Sequence, residues 1–311
     1  MAKLLGAVFL GWALGANDAA NVFGPAVMSR AVRYRRAVVT AALLVVLGAA
    51  LGGGRGLETI GALGPQTALT ALLVTLAAAL GMTLLIALRM PASSSHAIVG
   101  AVIGAAWARQ ANVDVDGVLR LVRGWVSTPV LACVLAWGWT LLVSLGLRSG
   151  VARRLGTLDS FIRLALWVVG AWGSYALGAN NAANVTGVFV ASGTLSTAQA
   201  AWLAGGSIAL GILTFGRRMM QLVGRNLVRL EPQTALIAML AQALTVHLFA
   251  VWGLPVSASQ ALAGAVLGVG LAKGVRTINP RALTNILLGW LGTPLVGALF
   301  AYVLVEIFGP R

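Results

Sequence analysis

The chain has 311 residues, of which 59% are hydrophobic and only 9% are charged. This composition excludes a soluble domain, because too few polar side chains are available to cover a surface exposed to water. The net charge of +15 does not indicate nucleic-acid binding, since the basic residues fall in short clusters between apolar stretches, as loop charges do in membrane proteins.

Long apolar stretches follow one another along the chain. Residues 66–88, 125–147, 233–252 and 282–305 contain no Asp, Glu, Lys or Arg, and each is long enough to cross the hydrocarbon core as a helix. We therefore predict an all-α polytopic protein of a prokaryotic inner membrane, with the lipid bilayer as its solvent. The first 20 residues resemble a signal peptide, but we interpret them as a helix of the mature protein, because their motif recurs later.

Four motifs occur twice in the same order. GANDAANVFGPAV at 15 returns as GANNAANVTGVFV at 178, PQTAL at 65 returns at 232, PASSSHAIVGAVIG at 91 returns as PVSASQALAGAVLG at 255, and GWVSTPV at 124 returns as GWLGTPL at 289. The offsets lie within a few residues of one another, which indicates a tandem duplication. We predict two repeats, residues 1–155 and 156–311.

Each repeat is predicted to contain a helix broken at the GAN motif, a re-entrant hairpin that begins at the Pro-Ser motif, and a V-shaped segment at the Thr-Pro motif. If the last segment returns to its own side, three crossings remain per repeat and the repeats are inverted. That arrangement places the arginine-rich connections at 30–36, 148–154 and 217–229 on the cytoplasmic side, whereas parallel repeats divide the basic residues evenly. We therefore predict inverted repeats with both termini outside.

Asp18 is the one acidic residue within a motif at membrane depth. Placing a charge there costs about 2.5 to 3.5 kcal/mol on insertion scales, so a functional role is expected. Asn17 and Asn21 add amide oxygens, and Gly15 and Gly24 permit a helix break that frees carbonyl oxygens. A site for a hard cation such as sodium is one interpretation; a polar contact that only joins helices is the other.

The second repeat has Asn181 where the first has Asp18, and Asn180 and Asn184 flank it. We add these three asparagines to the candidate cation-binding residues. The two half-sites therefore differ in charge.

The Pro-Ser motifs are candidates for an anion site. Proline is favoured at a helix start, and small hydroxylic residues after it can present both hydroxyls and free backbone N–H groups to an anion. The alternative is ordinary N-capping, which we would favour for one copy alone. His96 corresponds to Gln260; a lone histidine is more often a satisfied polar contact than a proton relay. Thr128 and Thr293 mark the kinks of the V-shaped segments. The candidate anion-binding residues are Ser93, Ser94, Ser95, Ser257, Ser259, Asp18, Gln260, Thr128 and Thr293.

These motifs resemble those of the inorganic phosphate transporter (PiT) family, whose hallmarks are a duplicated GxND-x-AN-x-x-G motif and a duplicated Pro-Ser-Thr hairpin start. The resemblance covers both halves of the chain. It implies a sodium- or proton-coupled phosphate carrier with inverted repeats, with Asn17, Asp18, Asn21, Asn180 and Asn184 at the cation and Ser94, Ser95 and Ser259 at the anion. The sequence departs from the family pattern at Asn181 and at Ala258, which lacks the hydroxyl of Ser94.

We therefore expect a symporter of inorganic phosphate that works by alternating access, and no enzyme. The alternative is a permease for sulfate or another tetrahedral oxyanion of the same family, since some members of the wider family are described as sulfate permeases. A carboxylate beside the anion favours phosphate, because phosphate keeps a proton to donate near neutral pH and sulfate does not. An anion channel is less favoured, because no span offers interior Lys or Arg. The expected partners are the anion, sodium and lipid; a homodimer is compatible with the sequence, which does not fix the oligomeric state.

Overall fold

The structure is a computed structural model, and it describes residues 2–88, 90, 92–148, 155–226, 231–274 and 280–309. Eleven α-helices follow a short 3₁₀ turn at Ala2–Leu4, and no strand is found among these residues. The helices are α1 (Leu5–Met28), α2 (Tyr34–Gly52), α3 (Gly54–Gly61), α4 (Ala68–Ala87), α5 (Ser94–Ala108), α6 (Val115–Arg148), α7 (Leu155–Ala191), α8 (Thr197–Asn226), α9 (Pro232–Val251), α10 (Ala258–Lys273) and α11 (Pro280–Phe308). Within the described ranges, seven helices are long and apolar enough to cross a membrane. The predicted all-α polytopic class is confirmed.

Helices of the two halves pack on one another reciprocally. Helix α1 packs on α8 and α2 packs on α7, and likewise α5 packs on α11 and α10 on α6. Glycines allow these close approaches, because a Cβ atom at Gly48 would overlap the carbonyl oxygen of Tyr175 and a Cβ at Gly100 would overlap that of Pro294. Each half of the chain therefore buries its helices against helices of the other half.

The two GAN helices run in opposite directions. At one end of the pair, Phe23 of α1 lies against Gly170 of α7, and further along Gly11 of α1 lies near Val185 of α7. Residue numbers therefore rise along α1 in the direction in which they fall along α7. This antiparallel course is what inverted repeats require; the division at residue 155, the first residue of α7, stays a prediction.

The GAN helices are not broken, which corrects the sequence-based expectation. Helix α1 continues from Leu5 through Gly15 and Gly24 to Met28, and α7 continues through the second motif. Gly15 lies against the backbone of Ile208 in α8, and Gly178 lies against that of Val45 in α2. The motif's first glycine therefore serves close helix packing rather than a helix break, and ligand oxygens must come from side chains.

The expected V-shape at the Thr-Pro motifs is also absent. Helices α6 and α11 each continue through their proline, at Pro129 and Pro294. Proline removes the bond to the carbonyl four residues earlier, and for Pro294 this carbonyl, on Trp290, accepts a hydrogen bond from His96 Nδ1 at 3.0 Å. A partner on another helix thus satisfies the released oxygen without a turn in the chain.

The hairpins consist of a long helix and a short one. Before α4, the carbonyl of Leu63 accepts a bond from the N–H of Asp114, which precedes α6, so α4 and α5 leave and return at one end. The second hairpin is joined likewise, since Lys273 at the end of α10 pairs with Glu231 at the start of α9 at 3.3 Å. The sequence predicts hairpins that begin at the Pro-Ser motifs, but α4 and α9, which precede these motifs, form the first arm of each hairpin. Pro91 lies outside the described residues.

Candidate functional site

The two GAN motifs lie at the depth of the membrane midplane. Asp18 is ten residues before the end of α1, and Asn181 is ten residues before the end of α7. At 1.5 Å per residue this is about 15 Å from each helix end, half the thickness of the hydrocarbon core. Since α1 and α7 run in opposite directions and are in contact, the two motifs lie at similar depths.

In the first motif, the carboxylate is held by its own helix. Oδ1 of the buried Asp18 accepts hydrogen bonds from Nδ2 of Asn17 at 3.0 Å and Nδ2 of Asn21 at 3.1 Å. Its second oxygen, Oδ2, accepts no bond from the described side chains. The amide donors therefore orient the carboxylate and leave one oxygen for a ligand.

In the second motif, the corresponding asparagine is bound to a hairpin. Oδ1 of Asn181 accepts bonds from Nδ2 of Asn184 at 2.8 Å and from the hydroxyl of Ser94 at 3.0 Å. Oδ1 of Asn184 is buried and has no hydrogen-bond partner. Because a buried acceptor is costly to leave unpaired, this oxygen is a candidate ligand for a cation or for a donor on a bound anion.

Asn180 has a different role from its neighbours. Its Nδ2 donates to the carbonyl of Val256 at 2.7 Å, and its Oδ1 accepts from the N–H of Val256 at 2.9 Å. Both ends of the side-chain amide are thus used to hold the tip of the second hairpin against α7. Asn17, the equivalent residue in α1, bonds to Asp18 instead.

Each hairpin tip has one serine that caps its helix and a second serine whose hydroxyl is paired with the first. Ser93 Oγ accepts from the N–H of His96 at 3.5 Å, and Ser257 Oγ accepts from the N–H of Gln260 at 3.3 Å, so both serines cap their helices. Two residues further, Ser95 lies 3.2 Å from Ser93 and Ser259 lies 2.9 Å from Ser257, hydroxyl to hydroxyl. Both hairpins therefore present the N-terminus of a helix and a serine pair at the same level.

Buried polar groups without partners lie beside the hairpin tips. The side chains of His96 and Gln260 are neighbours, yet His96 Nε2 and Gln260 Oε1 are buried without a hydrogen bond. These two residues occupy equivalent positions in the two hairpins, so their contact lies where the two halves meet. Together with Asn184 Oδ1 they mark a polar region that a ligand can satisfy.

Thr128 and Thr293 are both buried but bond within their own helices. Each hydroxyl donates to the carbonyl four residues earlier, Gly124 for Thr128 at 2.6 Å and Gly289 for Thr293 at 2.5 Å. The structure thus brings the side chains of the second GAN motif to both hairpin tips, keeps the bonds of Asp18 within the first motif, and places these threonines in the helix backbone network.

Two tryptophans were missed by the sequence analysis. The ring of His96 lies 4.0 Å from that of Trp125, whose Nε1 donates to the carbonyl of Pro255 at 3.3 Å. Trp290, the equivalent of Trp125, accepts the bond from His96. Both tryptophans occur at the same position of the repeated motifs GWVSTPV and GWLGTPL, and this repetition could have identified them from the sequence.

An all-helical membrane protein with a central polar site between two antiparallel helices has the architecture of a secondary transporter. Residues 14–301 match the model of the phosphate transporter family, and the chain belongs to this family. Members of this family are transporters and not enzymes, as the sequence analysis predicted for this chain.

Individual relatives carry different substrate names. The chain is similar to the sulfate permease CysP of Bacillus subtilis, with 29% identity over 99% of this chain and 88% of the relative. It is also similar to a candidate phosphate permease of Methanocaldococcus jannaschii, with 30% identity over 97% of this chain and 95% of the relative. A solved structure described as the sodium-dependent phosphate transporter has the same fold, with a TM-score of 0.83 and 24% identity over 99% of this chain and 100% of that one.

Proposed function

We propose that the protein is a cation-coupled secondary transporter of inorganic phosphate in the inner membrane, and that it works by alternating access. The observation that carries the proposal is the buried Asp18, whose Oδ1 is held by two amides at mid-membrane depth. A buried carboxylate without a cationic partner is costly, so a bound cation accounts for its presence.

Sodium is the cation that the donors fit. The first motif offers the carboxylate of Asp18 and the amide oxygen of Asn17, and the second motif offers the unpaired Oδ1 of Asn184. Hard cations prefer such oxygen ligands. The solved structure with the same fold is described as sodium-dependent, which supports the choice of sodium over the proton.

The hairpins supply the anion site in this proposal. The starts of α5 and α10 contact the second GAN motif through Ser94 and Val256, and Ser95 and Ser259 add hydroxyl groups beside them. Helix N-termini and hydroxyl groups can bind phosphate without basic side chains. A cation at Asp18 would then offset part of the charge of the anion.

Inverted repeats with the boundary at residue 155 would give the two access states. The reciprocal packing of α5 on α11 and of α10 on α6 joins each hairpin to the last helix of the other half. A movement of one such pair on one side therefore has a counterpart on the other side, as alternating access between inverted repeats requires.

Sulfate is the second candidate substrate, because the sulfate permease of Bacillus subtilis is 29% identical over nearly the whole chain. Uptake of radiolabelled phosphate and sulfate into proteoliposomes, with and without a sodium gradient, separates the two. We expect phosphate uptake that depends on the gradient and weak competition by sulfate. Preferential uptake of sulfate would assign the protein to the second function. Uptake that is equal with and without the sodium gradient would show that transport is not coupled to sodium.

A further inference from the structure

A groove lined by arginines lies at the end of α1 that is opposite to the N-terminus. Its volume is about 950 Å³, and its lining includes Arg30 and Arg33 from the connection between α1 and α2, Arg35 and Arg36 from the start of α2, and Arg163 from α7. Arg163 is paired with Asp159 at 2.9 Å. Among the described residues, no salt bridge involves the other four arginines, so the groove is strongly positive.

The position of these charges is unfavourable for the isolated protein. Arg33 is the residue before α2, and Arg35 and Arg36 belong to its first turn, which contains no acidic residue. The N-terminus of a helix carries a partial positive charge and stabilises anions, not cations. Three arginines at this end therefore repel the helix dipole and one another, and a bound anion would relieve both effects.

Arg30 adds an independent observation from the backbone. Its φ angle is 58°, in the left-handed region that favours glycine, and the equivalent residue of the second half is Gly193, with φ 67°. The second turn, SGTLS, contains no basic residue at all. The equivalent turn of the second half thus forms without arginine. Because the backbone at Arg30 would favour glycine, the presence of an arginine there indicates a role for its side chain.

The apolar part of the groove indicates the kind of anion. Val39, Leu164 and Trp167 line it beside the arginines and are 53%, 59% and 40% exposed. Tryptophan is enriched at the level of lipid headgroups. A free inorganic anion makes no favourable contact with these apolar side chains. A phospholipid can place its phosphate on the arginines and an acyl chain along the apolar side chains.

We propose that this groove binds the headgroup phosphate of an anionic phospholipid, such as phosphatidylglycerol. The site is separate from the transport site at Asp18 and does not depend on the transported ion. Arginine suits the task because its planar guanidinium forms paired hydrogen bonds with phosphate oxygens.

The test is native mass spectrometry of the full chain, released from micelles that contain phosphatidylcholine and phosphatidylglycerol. The wild type should retain phosphatidylglycerol in preference to phosphatidylcholine. The double variant Arg35→Gln with Arg36→Gln should bind phosphatidylglycerol about 30-fold more weakly, on the basis of about fivefold per basic residue at an anionic surface. The control variant Lys3→Gln with Arg123→Gln removes the same charge at exposed positions outside the groove and should retain the lipid as the wild type does.

Arg30→Gly guards against a folding artefact, because glycine suits the left-handed turn. This variant should keep or raise the melting temperature while phosphatidylglycerol retention falls. Unchanged retention in both groove variants, or equal loss in the control variant outside the groove, would overturn the proposal. It would also be overturned if inorganic phosphate displaced the lipid from the wild type and the double variant raised the KM for phosphate in vesicles of phosphatidylcholine alone, since the groove would then serve the transported anion.

Discussion

The hydroxyl of Ser94 donates a hydrogen bond of 3.0 Å to Oδ1 of Asn181, which joins the hairpin of the first half to the GAN helix of the second. The symmetric partners of these two residues are Ala258 and Asp18, which cannot form this bond because alanine has no hydroxyl. Asp18 therefore has no serine at the equivalent hairpin position to donate a hydrogen bond to its carboxylate. The departure at Ala258 therefore leaves Asp18 without the kind of bond that Asn181 receives from Ser94, and available to a ligand.

Asp18→Asn should abolish phosphate uptake driven by a sodium gradient, because it removes the charge that we assign to the cation. The protein should still insert and fold, since an amide at this position can bond as Asn181 does. Uptake into proteoliposomes measures the effect, and Glu58→Gln, which removes an exposed carboxylate, is the matched control. Wild-type gradient dependence in Asp18→Asn would reduce Asp18 to a polar contact between helices.

Asn181→Asp should restore the usual pair of carboxylates and make uptake depend more steeply on sodium concentration. The new carboxylate would keep the two donors of Asn181, the hydroxyl of Ser94 and the amide of Asn184, which lowers the cost of its burial. The Hill coefficient for sodium is the measurement. An unchanged coefficient in a stable variant would argue that the second motif holds no cation.

Ser95→Ala and Ser259→Ala should each raise the KM for phosphate about ten- to hundredfold. Each change removes a donor from a buried charged ligand, a loss of about 1.5 to 3 kcal/mol. Ser127→Ala is the control, because that hydroxyl lies on the exposed side of α6 and bonds to its own helix. Wild-type kinetics in both hairpin variants would return these serines to helix capping and packing.

Asn180→Ala should destabilise the protein by about 2 to 4 kcal/mol, because it leaves the buried N–H and carbonyl of Val256 without partners. Asn17→Ala, at the equivalent position, loses only the bond to Asp18 and should cost less. Apparent melting temperatures of the purified variants give the comparison. A larger effect at Asn17 would contradict the clamp assigned to Asn180.

Cysteines at Met28 and Ala191, the last residues of α1 and α7, should react from opposite sides of the membrane in a Cys133→Ala background. Both positions are exposed, and the helices that they end are antiparallel. Labelling with a membrane-impermeant thiol reagent on each side is the measurement, and reaction from the same side would exclude inverted repeats. We also expect cysteines at 31–36 and 219–228 to react only from the cytoplasmic side; the side chains of the second stretch lie outside the described residues.

The sequence by itself determined the class of protein and named the candidate residues of the site. Composition and uninterrupted apolar stretches leave only a membrane-spanning helical protein, because hydropathy acts residue by residue and needs no tertiary contact. The repeated motifs identified the family, the duplication and the candidate residues Asp18, Ser95 and Ser259, since repetition is visible in the letters alone.

Only the tertiary structure decided which groups are engaged and which remain available. Glycine and proline permit a break but do not require one, so the continuity of α1 and α6 depends on the helices that pack against them. Asn180 and Asn184 look equivalent in the sequence, yet one holds the backbone of Val256 and the other keeps an unpaired oxygen. A side-chain amide takes whichever partner is nearest, and residues 76 or more positions apart become neighbours only in the folded chain.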